Sequence, residues 1–382
     1  MRIIQITTDN RAQLKDYGLE FPYFGTAPEG LLEGFKDLPQ VEIHVISCTK
    51  RKMNAPQKIA PNIWFHQPLV GRFGWGKTLF SGNVRAVRKI VREINPDIVH
   101  GQGTERDCAM AAVLSGYPNV LTIHGNMRVH AKRPENRRMA YYRMASALET
   151  FCLKKTNGVI AISRYTENLV KDFTKTWLLP NAVDSRFFKI HITPPEIPRF
   201  LVVGTICERK NSIGLIHACR ELLHDGACQL AYAGDGNPSS SYMAQFNRLA
   251  QQIPNIELLG FLDRESLAKE FANSTGLILP TFEDNCPMVV LEAMAAGLPV
   301  AASNVGGVPD LIDHDKTGLL FNPESAPEIT ASVLSLIECS TMRTRLGTAA
   351  RQHALSHFHP KVIAEQHMAI YREVLKRGRV TR

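Results

Sequence analysis

A chain of 382 residues, 44% apolar and 21% charged, is longer than the roughly 250–300 residues at which a single hydrophobic core stops growing, so two globular domains are expected and disorder is excluded. Eight cysteines stand without any Cys-x-x-Cys spacing, which argues against a disulfide framework or zinc ribbon and reads as reduced, mostly core thiols. The formal charge of +9 is uneven: residues 1–190 hold 28 Lys and Arg against 16 Asp and Glu, and residues 191–382 hold 17 against 20. A basic first half suits an acidic partner: nucleic acid, an anionic membrane surface or a phosphorylated substrate.

No run of about 18 uncharged apolar residues occurs. Strand-like residues 3–6 follow Met1-Arg2 directly, leaving no apolar segment for a signal sequence, and the expected location is cytoplasmic. Short β-branched runs then alternate with segments of helical period, the pattern of parallel sheets covered by helices. In the first half the strand candidates are 2–7, 41–47, 98–100, 120–124 and 159–163, and Val84, Val87, Val91 and Ile94 share one face of a helix that Pro96 stops. The second half repeats the theme at 200–203, 229–233, 256–259, 276–279 and 299–302. Between the halves, three prolines in 193–198 exclude helix and central strand, so an extended connector is expected and a domain boundary near residue 190. The domains are therefore 1–190 and 191–359, with 360–382 a C-terminal helix packing back through Ala364, Met368, Tyr371 and Leu375.

The most informative stretch is 280–297. Apolar 276–279 reads as a strand, Pro287 suits a first helical turn and Gly297 the residue after a last one. A strand ending in a polar loop and a helix start makes an anion site beyond the carboxyl edge of a parallel sheet. Glu283 or Asp284 before the helix and Glu292 within it can accept hydrogen bonds from sugar hydroxyls; acidic residues capping a surface helix are the alternative. Upstream, a strand at 202–203 runs into Gly204, Thr205 and the cations Arg209 and Lys210, which either neutralise a diphosphate or form a solvated basic turn. Gly234-Asp235-Gly236 is a turn signal after another strand.

Together these segments resemble the retaining GT-B glycosyltransferases of family 4. Residues 284–292 resemble the family's Glu-x7-Glu signature with Asp284 at the first position, and Pro299-Val300, Gly306-Gly307-Val308-Pro309 and 317–320 continue the pattern. The resemblance implies an α/β GT-B fold, two Rossmann-like domains facing each other across a cleft, the first binding acceptor and the second a nucleotide sugar. It implies that Asp284, or Glu283 beside it, contacts the transferred sugar and Glu292 the ribose. Lys210 takes the donor-phosphate position, and Arg209 supplies the charge the family places after the glycine, where Thr205 stands. Gly204, Thr205, Gly234, Asp235, Asn285, Cys286, Pro287, Met288 and Val289 are the implied donor contacts. In the first half, 95–100, 121–125 and 179–184 resemble recurring family segments. They imply a donor-sugar contact for His124, which otherwise reads as a core histidine at a strand end, and an acceptor-side place for Gly25 in the loop 21–30.

Hexosyl transfer from a UDP- or GDP-sugar to a glycan or lipid-linked acceptor is the implied activity, in cell-surface polysaccharide or glycolipid synthesis, with retention, no metal and no other cofactor. A sugar-nucleotide epimerase or a non-catalytic nucleotide-sugar binder of the same fold is the alternative. A nucleic-acid partner lacks any binding motif. Asp313-His314-Asp315 has a metal-binding form but a turn context, and His353, His357 and His359 lack a nearby carboxylate or thiol. The cluster Arg128, Lys132, Arg133, Arg137, Arg138, Arg143, Lys154 and Lys155 surrounds a helix with Tyr141, Met144, Ala145, Leu148 and Phe151 on one face. It reads either as a core-packed helix with solvated charges or as peripheral contact with an anionic membrane at its inner face.

Overall fold

The computed structural model describes residues 1–14, 16–133, 136 and 139–380. The chain divides into two compact units, one of residues 1–182 with the C-terminal helix Pro360–Val380, the other Val183–His359. Each is built on a mainly parallel sheet.

In the first unit the strands are β1 (Arg2–Ile6), β2 (Glu42–Ile46), β3 (Lys58–Ala60), β4 (Ile63–His66), β5 (Ile98–Gln102), β6 (Asn119–Ile123), β7 (Val159–Ala161) and β8 (Thr176–Leu178), ordered β3-β4-β2-β1-β5-β6-β7-β8. Only the β3–β4 pair is antiparallel. Central strands β1, β5 and β6 are buried on both faces because helices cover both, with Gln5, His100, Gln102 and Thr122 enclosed among their apolar residues. In the second unit β9 (Arg199–Val203), β10 (Gln229–Ala233), β11 (Ile256–Gly260), β12 (Gly276–Leu279), β13 (Val300–Ser303) and β14 (Leu319–Phe321) are all parallel, ordered β11-β10-β9-β12-β13-β14. Strand order reverses between β1 and β5 and between β9 and β12, where loops diverge to opposite faces and leave a crevice at the carboxyl edge.

The division falls at residue 182 rather than near 190. Phe187, fully buried, packs 5.5 Å from Phe271, and Val183 N donates to Phe358 O, which commits 183–190 to the second core. The proline-rich segment is extended but is tied into that unit, with Thr193 N donating to Ala272 O at 2.7 Å. The helix Pro360–Val380 buries Ala364, Met368 and Tyr371 against the helix Thr26–Lys36. A Cβ on Gly34 would lie 2.0 Å from Pro360 O, so glycine there lets the two backbones touch.

The helix Ala140–Lys155 buries Ala145, Glu149 and Cys152, not the face holding Tyr141 and Phe151, which are exposed. Of the expected face Met144, Ala145 and Leu148 do pack inward while its ends, Tyr141 and Phe151, do not. The buried side is shifted towards Glu149, which sits inside the unit, accepting from Thr104 Oγ1 and from Met127 and Arg128 main-chain amides. Arg128 stacks 4.4 Å from the Phe173 ring and donates to Leu169 O, so it serves packing. Arg137 and Arg138 lie outside the described residues.

Two histidines, His100 and His367, are enclosed in the first unit, and a third, His124, is partly buried beside them. His100 lies 2.6 Å from the Tyr371 hydroxyl and 2.8 Å from that of Thr122, His124 Nε2 lies 3.0 Å from Gln102 Oε1, and His367 meets Ile363 O. Burial holds all three neutral, pushing His124 and His367 down to about 4. An unfolded imidazole takes up its proton near pH 6.5, the folded one only near 4, so the unfolded state binds more protons between. Stability is full above that window and is lost as pH falls through it, by about 3 kcal/mol for the fully enclosed His367 at pH 4 and by less for His124. All three tryptophans, Trp64, Trp75 and Trp177, lie in this unit. The urea midpoint read by their fluorescence is expected to fall from pH 7 to pH 5, less steeply in His367→Gln; a pH-independent midpoint would contradict the buried neutral state.

Candidate functional site

The loops after β9 and β12 flank the switch point of the second sheet. After β9, Gly204 adopts φ +142°, and a Cβ on Gly234 would lie 2.2 Å from Gly204 O, so the loops leaving β9 and β10 touch through bare backbone. Gly204 N donates to Ala233 O and Ile206 N to Asp235 O, while the Thr205 and Asp235 side chains face solvent. A short 3-10 turn, Glu208–Lys210, then presents both cations.

Lys210 Nζ meets Asp284 Oδ2 at 2.5 Å, each side chain about 15% exposed, and Arg209 donates to Glu283 O at 2.7 Å. Phe282 N returns a bond to Arg209 O. The two loops are thus cross-linked by charge and main chain across the switch point. Asp284 is clamped again from behind: Gly307 N donates to its carbonyl, and a Cβ on Gly306, at φ +58°, would lie 2.0 Å from that oxygen. Glycine is required at 306 by that close approach and by its positive φ.

Pro287, at φ −66°, starts the helix Met288–Ala296, and Gly297 at φ +77° ends it. Seven of its nine residues are buried, as is Cys286 just ahead of it, so the loop presents main-chain amides more than side chains. Arg351 donates to Ala295 O, Ala296 O and Phe188 O, placing a cation at the negative helix end. Glu292, 2% exposed, is the one acid of this helix, and burial raises its carboxyl while Arg264 opposes the rise. Arg264 pairs with Glu292, lies 3.7 Å from Asp184 and stacks 4.7 Å from the Phe187 ring. Sequence reasoning missed Arg264 and Asp184; the signal for a partner was an acid inside an all-apolar helix, but it did not say which cation.

In the first unit His124 stands at the end of β6 beside a small, partly open cavity of about 10 Å³, at the lower limit for one water, shared with Gln102, Thr122 and His367. Gly25, at φ +87°, precedes the helix Thr26–Lys36, whose Glu29 reaches back to Phe24 N. Glu105, also unforeseen, holds Gly125 N at 2.7 Å beside the β1–β5 switch point, and burial raises its carboxyl. Asp313-His314-Asp315 is a turn: Asp313 pairs with Lys316, Asp315 with Arg345, and His314 Nδ1 accepts from Leu320 N. Among the described residues no three His, Cys, Asp or Glu side chains gather as a metal site. No described helix is long and apolar enough to cross a membrane.

A doubly wound pair of parallel sheets with a glycine-lined, cation-bearing switch point defines a nucleotide-handling α/β protein. The pattern of the glycosyl transferases group 1 matches residues 184–353 and that of glycosyltransferase family 4 residues 31–187. The chain belongs to this glycosyltransferase family and is a GT-B glycosyltransferase. It is 24% identical to N-acetyl-alpha-D-glucosaminyl L-malate synthase of Bacillus anthracis over 88% of this chain and 90% of that one. It is 32% identical to the sulfoquinovosyl transferase of Arabidopsis thaliana, over 41% of this chain and only 30% of that longer one. In fold it is similar to sucrose-phosphate synthase of Thermosynechococcus elongatus, with TM-score 0.77, 19% identity and 98% and 99% of the chains covered. It is also similar to Anabaena HepE, solved in complex with UDP-glucose, with TM-score 0.69, 16% identity and 98% and 99% covered.

Proposed function

We propose that this glycosyltransferase moves a hexosyl group, with retention of configuration and without a metal, from a nucleoside diphosphate sugar to a hydroxyl of a glycan or lipid-linked acceptor, in cell-surface polysaccharide or glycolipid synthesis. The observation that carries the reading is the Lys210–Asp284 pair at the β9–β12 switch point. A diphosphate at that edge meets the Lys210 ammonium and the amides that open the helix Met288–Ala296, which stabilise the negative charge growing on the leaving oxygen. Asp284 is the sugar-facing carboxylate, and Glu292 accepts from the ribose diol. Arg209, bonded to Glu283 O, braces the loop. The first unit binds the acceptor. A UDP-sugar leads the candidates, supported by the UDP-glucose bound to HepE, with GDP-sugars next.

Calorimetry with UDP-, GDP- and ADP-hexoses, followed by product analysis with and without acceptor glycans, tests the proposal. Conversion of donor to another sugar nucleotide without acceptor would make the chain an epimerase, and binding with no turnover a carrier. Activity is expected to persist in EDTA, because Lys210 and helix amides supply the charge a metal would otherwise carry. Complete loss restored by Mg or Mn would overturn that part.

A further inference from the structure

Residues 43–92 carry ten Lys and Arg and no Asp or Glu. Within that stretch the segment 69–80 is anchored by Val70, Trp75 and Phe80, which are buried and pack against the partly buried Met144 and Leu148 of the helix Ala140–Lys155. Between the anchors, three apolar side chains turn to solvent: Leu69 is 65% exposed, Phe73 82% and Leu79 51%. This exposure is built in rather than frayed. Val70 N donates to Thr49 O, Trp75 Nε1 to Val70 O and Thr78 Oγ1 to Phe73 O, and a Cβ on Gly82 would lie 2.4 Å from Gly74 Cα. Leu79 and Phe80 are both held in the left-handed region, at φ 53° and 60°, a conformation that non-glycine residues keep only where the surroundings impose it.

Leu69, Val70 and Phe73 line an open groove of about 350 Å³ that Arg72 and Arg85 share. Lys50 and Arg106 lie 5.0 and 5.5 Å from the Trp75 ring, and Arg72, Lys77, Arg85, Arg88 and Lys89 are exposed. Clustered large apolar side chains rimmed by cations fit a surface that is apolar within and anionic without. A second copy of the chain fits poorly, since it would set the same ten cations against themselves.

We propose that segment 69–80 docks the first unit on an anionic lipid bilayer, with Leu69, Phe73 and Leu79 entering the headgroup boundary and Arg72, Lys77 and Arg85 meeting lipid phosphates. This surface is distinct from the cluster at 128–155, whose helix supports it from beneath through Met144. Docking is independent of the donor reading, because it is measured without any sugar nucleotide.

The test is co-sedimentation of the full chain with vesicles of phosphatidylcholine alone or with 30% phosphatidylglycerol, the ~30% being a working choice in the range that gives a surface potential of tens of millivolts. The anionic vesicles are expected to hold the protein and to release it as salt rises. Arg72→Glu/Lys77→Glu should lower the partition coefficient by roughly 25-fold or more, and Phe73→Ser by about tenfold. These side chains are exposed, so unchanged circular dichroism is expected. Phe73→Trp should be quenched by brominated lipid in anionic vesicles. Equal sedimentation on both lipids, unaltered binding by the variants, absent quenching, or a dimer that Phe73→Ser dissolves would overturn the proposal.

Discussion

Lys210→Ala is expected to lower kcat by about 10²–10³-fold, the range for removing one preorganised charge-stabilising donor. The geometry gives two reasons. Lys210 packs its ammonium stem along the Gly204 turn, where a Cβ would make ordinary contact with it at 3.4 Å from Lys210 Cε, so the cation is held at the end of β9. It is also held by Asp284 at 2.5 Å, so little reorganisation is needed when a diphosphate arrives. UDP or GDP affinity should weaken by at least ~1 kcal/mol, the lower end for a charged hydrogen bond. Asp284 left without its cation remains largely shielded, so part of the loss can be structural. Asp284→Asn separates the two: it keeps the Lys210 charge for the nucleotide while removing the ion pair. A structural role alone predicts equal losses of nucleotide affinity in Lys210→Ala and Asp284→Asn; the proposed role predicts loss only in the first. Unchanged affinity in a folded Lys210→Ala would remove Lys210 from the donor site.

What the sequence made legible follows from the range of the physics involved. All ten expected strands are present within two residues, because apolar runs bounded by breakers are a local signal. The edge strands β3, β8 and β14, and the short β4 beside β3, were not foreseen: β3, at three residues with Lys58 exposed, and β8, half-buried, carry no such run. Strand β14 and the three buried residues of the second-unit boundary, Val183, Phe187 and Phe188, depend on which core adopts them, a tertiary decision. At the site, glycines and cations were readable because their chemistry is in the residue type. The partners were not. Nothing at position 264 distinguishes it from other arginines until the fold brings the start of the helix Arg264–Ala272 against the middle of Met288–Ala296.

That encounter carries the largest stability effect expected in the second unit. Arg264→Met removes the cation from a carboxylate that is 2% exposed, and breaking a buried pair this way costs about 3–5 kcal/mol. For a unit of this size that lowers Tm by about 10 °C. Replacing both partners, Arg264→Met with Glu292→Leu, should recover most of the loss, because no buried charge is then left uncompensated. The pH dependence has a definite sign. Burial already raises the Glu292 carboxyl and Arg264 holds the rise in check, so the single variant raises it further. Above the unfolded value near 4.5, the folded state then binds more protons than the unfolded one, and stability falls as pH climbs towards the raised folded value. The deficit of Arg264→Met should therefore be small at pH 5 and full at neutral pH or above, read as the calorimetric transition of the second unit. The same cation aims the carboxylate that would receive the ribose diol, so Arg264→Met should also lower nucleotide affinity, and the double variant should regain stability without regaining binding. A variant that keeps its Tm across this pH range would mean that Glu292 does not need Arg264. If the double variant also bound nucleotide as tightly as the wild type, Glu292 would have no place at the ribose.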